Sequence, residues 1–257
     1  MSFANKLYCL IEHKFKSINR HGAHSPFLFD LFNHVINIPF AQSDLEAFEN
    51  YRRQLKSDHH QILFEEHGAG NNQNRTMTVA EITHRSAIDR SEAKLLVNLC
   101  KYLAPKTVLE FGTSTGVSAH VMNIGAPNAK ITTIEGCGEL ANYIKQNYSH
   151  PNIEVIHATF DQFLESEIDA NTKYDLVYID GNHTFDATLR YYEIIKNRHI
   201  HPNTCVIFDD IYWSKGMMRA WNEIVKDTSS TLTLDFFKMG IVFFDHKLSK
   251  QHFRINI

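Results

Sequence analysis

A short stretch, Val108 to Gly116, constrains the fold of this chain more than any other segment. The apolar residues from Thr107 to Phe111 predict a buried strand, and a helical pattern follows from about Gly116 to Ile124. Between them, Gly112 lets the backbone turn tightly and approach a ligand, because glycine has no Cβ. A strand, a glycine loop and a helix N-terminus together predict the opening unit of a nucleotide-binding α/β fold.

Two acidic residues near this loop indicate which ligand it binds. A dinucleotide site needs Gly-x-Gly-x-x-Gly, whereas this loop has the spacing Gly112-x-x-x-Gly116, with one glycine fewer. Glu110 lies at the strand end, where its charge repels a pyrophosphate and attracts a cationic ligand. Glu135 ends the next predicted strand, where a carboxylate can accept hydrogen bonds from both hydroxyls of a ribose. These features argue against an NAD-dependent enzyme and favour a nucleoside that carries positive charge.

Residues Glu110 to Gly116, which spell Glu-Phe-Gly-Thr-Ser-Thr-Gly, resemble motif I of the class I S-adenosylmethionine-dependent methyltransferases. Glu135 falls where that family has its ribose-binding acid, and the resemblance covers roughly Ser91 to Asp245. It implies that the methionine end of S-adenosylmethionine is lined by Glu110, Gly112, Thr113, Ser114, Gly116 and Ser118. It also implies that Glu135 holds the ribose and that Thr159 and Phe160 border the adenine.

Three further acids follow two predicted strands. Asp180 ends the strand that starts at Tyr174, and Asp209 and Asp210 follow the strand that starts at Thr204. Because ligands of open α/β sheets bind beyond the carboxyl ends of the strands, we expect the three carboxylates to converge near the motif I loop. A cation relieves their mutual repulsion, and oxygen ligands of this kind suit Mg²⁺ or Ca²⁺. The alternative, that single acids cap the following helix or turn, is less favoured for a set of three.

The sequence around these acids resembles two motifs of O-methyltransferases. Tyr178 to Phe185 is similar to the Ile-Asp-Gly-x-His-x-aromatic motif of one class I branch, and Phe208 to Trp213 to the second metal motif of catechol and caffeoyl-CoA O-methyltransferases. Those enzymes carry Asp-Asn at the pair, whereas Asp209-Asp210 matches enzymes similar to macrocin O-methyltransferase. The resemblance implies that Asp180 lies near the sulfonium as well as the metal. The departure argues against a catechol acceptor and makes Asp210 the weakest of the three predicted ligands.

His183 is the candidate general base. It lies three residues after Asp180, where the catechol-type enzymes have a catalytic lysine, and an ordinary pKa of ~6.5 suits a base at neutral pH. The alternative is a loop histidine that faces solvent or caps the helix at Thr184. The resulting prediction is an S-adenosylmethionine-dependent methyltransferase that methylates a hydroxyl of a small molecule, assisted by a divalent metal, with His183 and Asp180 as catalytic residues. A metal-independent N- or O-methyltransferase and a catalytically idle binding module of the same fold remain as alternatives.

The alternation of strands and helices in residues 91–257 predicts a parallel sheet with helices on both faces. The last two predicted strands have no helix between them. We therefore expect a Rossmann-like class I methyltransferase fold, with a mostly parallel seven-stranded sheet and an antiparallel edge strand. Residues 1–90 predict an N-terminal helical cap. The loop at 68–75 within it is either a lid, with Arg75 facing an anionic group, or a solvated linker.

Composition narrows the classes of protein further. The charges nearly balance, with a net charge of −3, which argues against a nucleic-acid partner. Four scattered cysteines predict reduced thiols in a cytoplasmic protein. No apolar run reaches the ~20 residues of a membrane span. Residues 1–16 have an amphipathic helical pattern, which we expect to pack on the body of the protein rather than on a membrane surface. A homodimer through the cap or the edge strand stays open.

Overall fold

A computed structural model describes residues 3–65, 74–166 and 172–256 of the chain. The chain divides into two compact units, one made of Met1–Asn33 and Ala170–Ile257, the other of His34–Asp169. Most of the loop predicted at 68–75 lies outside the described residues, so both interpretations of it stay predictions.

The helices and strands largely follow the predicted alternation. The helices are α1 Phe3–Lys16, α2 Pro26–Leu31, α3 Gln42–Lys56, α4 Val79–Ser86, α5 Arg90–Leu103, α6 Val117–Gly125, α7 Gly138–Asn147, α8 Phe160–Glu165, α9 Phe185–Arg198 and α10 Lys215–Lys226. The strands are β1 Gln61–Phe64, β2 Arg75–Thr78, β3 Thr107–Phe111, β4 Lys130–Glu135, β5 Ile153–His157, β6 Leu176–Ile179, β7 Cys205–Phe208, β8 Leu232–Asp235, β9 Gly240–Phe243 and β10 Gln251–Arg254. A 3₁₀ turn, Arg20–Gly22, precedes α2, and a π-helical turn, Phe32–Ile36, follows it.

Capping residues explain where several helices begin. Ser25 accepts a hydrogen bond from the backbone N–H of Leu28, and a proline occupies the first turn of α2. Asp89 and Glu92 form a reciprocal capping box at the start of α5. Such local bonds satisfy N–H groups that the first helical turn otherwise leaves without a partner.

Eight strands, β3 to β10, form a mostly parallel sheet. In the His34–Asp169 unit the order is β3-β4-β5, and all three strands are parallel. In the other unit the order is β10-β8-β9-β7-β6, and β9 runs antiparallel to both of its neighbours. The predicted α/β class is confirmed. The sheet has one strand more than predicted, because β10 pairs in parallel with β8 and takes the edge position.

The strands that lead to the predicted site are apolar and fully buried. Every residue of β6 and of β7 is buried, as expected for parallel strands covered on both faces. These strands end at Ile179 and Phe208, so Asp180 and Asp209 directly follow the carboxyl ends of the two strands. None of the described helices combines the length and the apolar character needed to cross a membrane.

Candidate active site

The motif I loop makes a tight turn that glycine permits. Gly112 and Gly116 have φ angles of 106° and 78°, and Ser114 between them has a φ of 46°. The N–H groups of Gly112 and Thr113 both donate to the carbonyl of Ile134, at 3.0 and 3.1 Å. Gly116 is the N-cap of α6 and supplies no side-chain cap, so the first turn of that helix keeps N–H groups available for a ligand.

The carboxylate of Glu135 is bonded to the backbone of the loop. Its Oε2 accepts from the N–H of Ser114 at 2.8 Å, and its Oε1 accepts from the N–H of Cys137 at 2.9 Å. The side chain is partly exposed. Glu135 therefore links the motif I loop to the turn that follows β4, and its contact with a ribose stays a prediction.

Glu110 lies near the carboxyl end of β3, beside the motif I loop. It is fully buried, and its Oε2 accepts a hydrogen bond from the hydroxyl of Thr133 at 2.5 Å. Thr133 in turn bonds the hydroxyl of Thr113 at 2.7 Å. A buried charge requires such partners, and this chain of bonds links the acid of β3 to the motif I loop. Contact between Glu110 and a cofactor stays a prediction.

Helices α3 and α4 brace the same loop, which the sequence did not reveal. The hydroxyl of Tyr51 donates to the carbonyl of Thr115 at 3.2 Å, and that of Ser86 lies 2.6 Å from the hydroxyl of Ser114. Thr83 donates to the hydroxyl of Thr115 at 3.2 Å. These contacts join residues about thirty to sixty positions apart, and no local pattern signals them. Residues assigned to a cap thus position the loop.

The remaining predicted cofactor residues have clear structural roles. Ser118 is buried in the first turn of α6. The hydroxyl of Thr159 accepts from the N–H of Gln162 and caps α8. The ring of Phe160 packs edge-on against that of Phe111, with centroids 5.2 Å apart. Their contacts with adenine or methionine stay predictions.

In the other unit, Asp180 and His183 form a close pair after β6. Nε2 of His183 lies 3.5 Å from Oδ1 of Asp180, and both side chains keep about a fifth of their surface exposed. Asn182, with a φ of 47°, makes the turn between them, and its side-chain amide donates to the hydroxyl of Tyr191 at 3.1 Å. The turn therefore holds the imidazole beside the carboxylate and keeps both groups accessible.

Asp209 and Asp210 follow β7 in different environments. Asp209 is buried, and its N–H donates to the carbonyl of Ile179 at 2.9 Å. Asp210 is partly exposed and has a φ of 51°. Burial raises the pKa of Asp210, and so does the charge of Asp180, although His183 and two lysines oppose the shift.

The charge on His183 is governed by these same acids. Burial lowers the pKa of His183, but the hydrogen bond with Asp180 and the charges of Asp180 and Asp210 outweigh it, so the pKa lies above its ordinary value. The ring of Trp213, about half exposed, lies 6.2 Å from that of His183 between centroids. An imidazole, two carboxylates and an indole face therefore share one surface.

The arrangement of these acids bears on whether they suit a divalent metal. Across residues 3–65, 74–166 and 172–256, no group of three or more histidine, cysteine, aspartate or glutamate side chains is arranged to hold a metal ion. Asp180 is instead engaged with the imidazole of His183. The metal site at Asp180, Asp209 and Asp210 therefore stays a prediction.

Known proteins share a domain and a fold with this chain. Residues 109–211 match a family whose members carry a methyltransferase domain. A methyltransferase of Podospora anserina solved with S-adenosylhomocysteine is 16% identical, with a TM-score of 0.56 over 81% of this chain and 89% of that one. An O-methyltransferase of Bacillus cereus, also solved with S-adenosylhomocysteine, is 17% identical, with a TM-score of 0.54 over 80% and 92%. An O-methyltransferase of Streptomyces achromogenes involved in tomaymycin synthesis, solved with S-adenosylmethionine, is 16% identical, with a TM-score of 0.51 over 62% and 82%.

At these identities the solved structures establish the fold, and the family match adds the domain type. The fold is the Rossmann-like fold of the class I S-adenosylmethionine-dependent methyltransferases, as predicted. Residues 109–211 thus match a methyltransferase domain, and O-methyltransferases are among the solved structures that share this fold.

Proposed function

We propose that this enzyme transfers a methyl group from S-adenosylmethionine to a hydroxyl of a small molecule, with His183 as the general base. One observation carries the proposal: Nε2 of His183 lies 3.5 Å from Oδ1 of Asp180, and both groups are accessible. A base needs a fixed orientation, access to its substrate and a neighbour that stabilises the imidazolium; Asp180 supplies the neighbour, and the imidazole of His183 is partly exposed.

The motif I loop supports the cofactor half of the proposal. Gly112 and Gly116 have no Cβ, so the backbone can approach a ligand closely at these two positions, and the N-cap of α6 supplies no side-chain hydrogen bond to the first helical turn. Glu135 lies at the end of β4, bonded to the backbone of the motif I loop, and we propose that it holds the ribose. S-adenosylmethionine supplies a methyl group on a positively charged sulfur, so that the acceptor oxygen gains the C–O bond as the C–S bond breaks.

His183 handles the proton in this proposal. As the acceptor oxygen attacks, Nε2 takes its proton, and the carboxylates of Asp180 and Asp210 stabilise the resulting imidazolium. The chain thereby provides orientation and deprotonation, while the cofactor provides the leaving group. A divalent metal held by Asp180, Asp209 and Asp210 remains the metal-assisted alternative, and the test below distinguishes the two.

The test combines binding and turnover. Calorimetric titration with S-adenosylhomocysteine establishes cofactor binding, and transfer of a labelled methyl group to a panel of phenols, catechols and sugars measures activity with and without EDTA. We expect His183→Gln to bind S-adenosylhomocysteine normally and to lose about 10²–10⁴-fold in rate. The matched control is His246→Gln, because His246 is an exposed histidine of the same unit.

Each outcome separates the candidates. Activity that persists in EDTA and falls in His183→Gln supports the proposal. Activity that disappears on chelation supports the metal-assisted enzyme and refutes proton transfer to His183 without a metal. Failure of the wild type to bind S-adenosylhomocysteine at millimolar concentration leaves only an idle binding module.

A further inference from the structure

Helix α1 presents an exposed apolar ridge on the side opposite its contacts with the protein. Its inner face carries Cys9 and His13, which are buried, and Nε2 of His13 lies 3.0 Å from Oδ1 of Asp235. Helix α1 therefore packs on the body of the protein through one face, as the sequence predicted.

The outer face is unusually apolar for a surface helix. In the part of the chain that the structure describes, eight large apolar side chains are exposed, and four of them lie on α1. These four are Leu7, Tyr8, Ile11 and Phe15. Leu7, Ile11 and Phe15 follow one another at intervals of four residues and form a continuous ridge, and Phe15 is 87% exposed. A cluster of this kind marks an interaction surface, whereas single exposed apolar residues do not.

The positive charge of residues 3–24 indicates what kind of surface the ridge can bind. Residues 3–24 contain four basic side chains, Lys6, Lys14, Lys16 and Arg20, and one acidic side chain, Glu12, although the whole chain has a net charge of −3. A second copy of this helix would bring like charges together across the ridge. An anionic lipid surface, by contrast, accepts the apolar side chains below its headgroups and the lysines at their level.

We propose that α1 is an interfacial anchor that binds the enzyme to an anionic lipid bilayer. The ridge enters the boundary between headgroups and acyl chains, Tyr8 and Phe15 supply aromatic contacts, and Lys14 reaches the phosphates. The helix lies on the membrane and does not cross it, in keeping with its 14 residues.

The test is sedimentation of the full-length protein with two kinds of vesicle. One kind is made of phosphatidylcholine alone, and the other of phosphatidylcholine mixed with phosphatidylglycerol. We expect binding to the mixed vesicles that weakens in high salt, and little binding to the neutral ones. Phe15→Gln should weaken binding about tenfold, because the variant lacks the phenyl ring that the wild type transfers from water to the membrane. Lys14→Gln should weaken it about fivefold.

Matched variants separate the ridge from the rest of the surface. Leu7 and Leu63 are 46% and 45% exposed, and Leu63 lies on β1 in the other unit. Leu7→Gln should weaken vesicle binding and Leu63→Gln should not. Lys130→Gln, at the exposed start of β4, is the control for Lys14→Gln. Glutamine favours helix, and circular dichroism of each variant checks that the fold is retained.

Three results would overturn the proposal. The first is wild-type protein that stays in solution with both kinds of vesicle. The second is wild-type protein that binds equally to neutral and anionic vesicles, which would show that the basic side chains do not contribute to binding. The third is a dimer, seen by light scattering, that Phe15→Gln converts to a monomer without any vesicle binding, which makes the ridge an interface between two copies.

Discussion

Replacing Gly116 by alanine tests whether the motif I loop depends on a glycine at this position. Gly116 has a φ of 78°, in the left-handed region that residues with a Cβ disfavour. A Cβ built at this position would also lie 3.0 Å from the hydroxyl oxygen of Tyr51. The same hydroxyl donates to the carbonyl of Thr115 at 3.2 Å, so it cannot move away without weakening that bond.

The expected cost follows from these two contacts. The left-handed conformation costs a residue with a Cβ about 1–2 kcal/mol. Displacing the hydroxyl of Tyr51 weakens a hydrogen bond whose net contribution is about 1 kcal/mol. Gly116→Ala should therefore lower the free energy of unfolding by about 2–3 kcal/mol, and it should weaken binding of S-adenosylhomocysteine, since the loop is displaced.

The measurement is urea denaturation of Gly116→Ala beside a matched control, Gly216→Ala. Gly216 lies in the first turn of α10, and the nearest atoms to its added Cβ are at 3.4 Å. That control should be stabilised by about 0.5–1 kcal/mol, because alanine replaces glycine in a helix. In a Tyr51→Phe background the cost of Gly116→Ala should shrink, since the crowding oxygen is gone. A cost below about 0.5 kcal/mol would refute the strain argument, and equal costs in both backgrounds would refute the contact.

Three further substitutions test other parts of the structure. Glu135→Gln should raise the dissociation constant of S-adenosylhomocysteine about tenfold in calorimetry, because charge-assisted bonds to the loop are lost; unchanged affinity would contradict the assigned role. Burial raises the pKa of Asp227, but hydrogen bonds from Lys196 and other partners outweigh it, so the pKa lies below its ordinary value of 3.8. The stabilisation of the fold by the Asp227 carboxylate is thus present above about pH 3.8 and lost as the pH falls through the folded-state pKa. Asp227→Asn should therefore lower the free energy of unfolding at neutral pH and approach the wild type in acid. A loss of stability that does not depend on pH would contradict this. Gly240→Ala places a Cβ 2.5 Å from the ring of Trp221 and should cost about 1–3 kcal/mol in thermal unfolding; an unchanged midpoint would show that the ring has room to move.

The sequence predicted the buried strands well and the peripheral ones poorly. Strand β3 begins and ends where the predicted run from Thr107 to Phe111 does, since a strand covered on both faces is made mostly of apolar residues. Strands β1 and β2 were missed, because they are four residues long and mostly exposed or partly exposed, so neither carries a clear pattern. Strand β10 was missed for the same reason, and its pairing with β8 made the sheet one strand larger than expected.

Some features of the candidate site could likewise be predicted from the sequence, whereas others required the structure. The sequence alone determined the motif I loop and the acids at the strand ends, because a strand, a turn and a cap are short-range features that a few adjacent residues encode. Only the tertiary structure decided that Tyr51 and Ser86 brace the loop, that Glu110 turns inward to Thr133, and that Asp180 is engaged with His183. It also decided which face of α1 stays exposed. Most of these outcomes depend on contacts between residues far apart in the chain, whose distances are set by packing and which leave no periodic signal in the sequence.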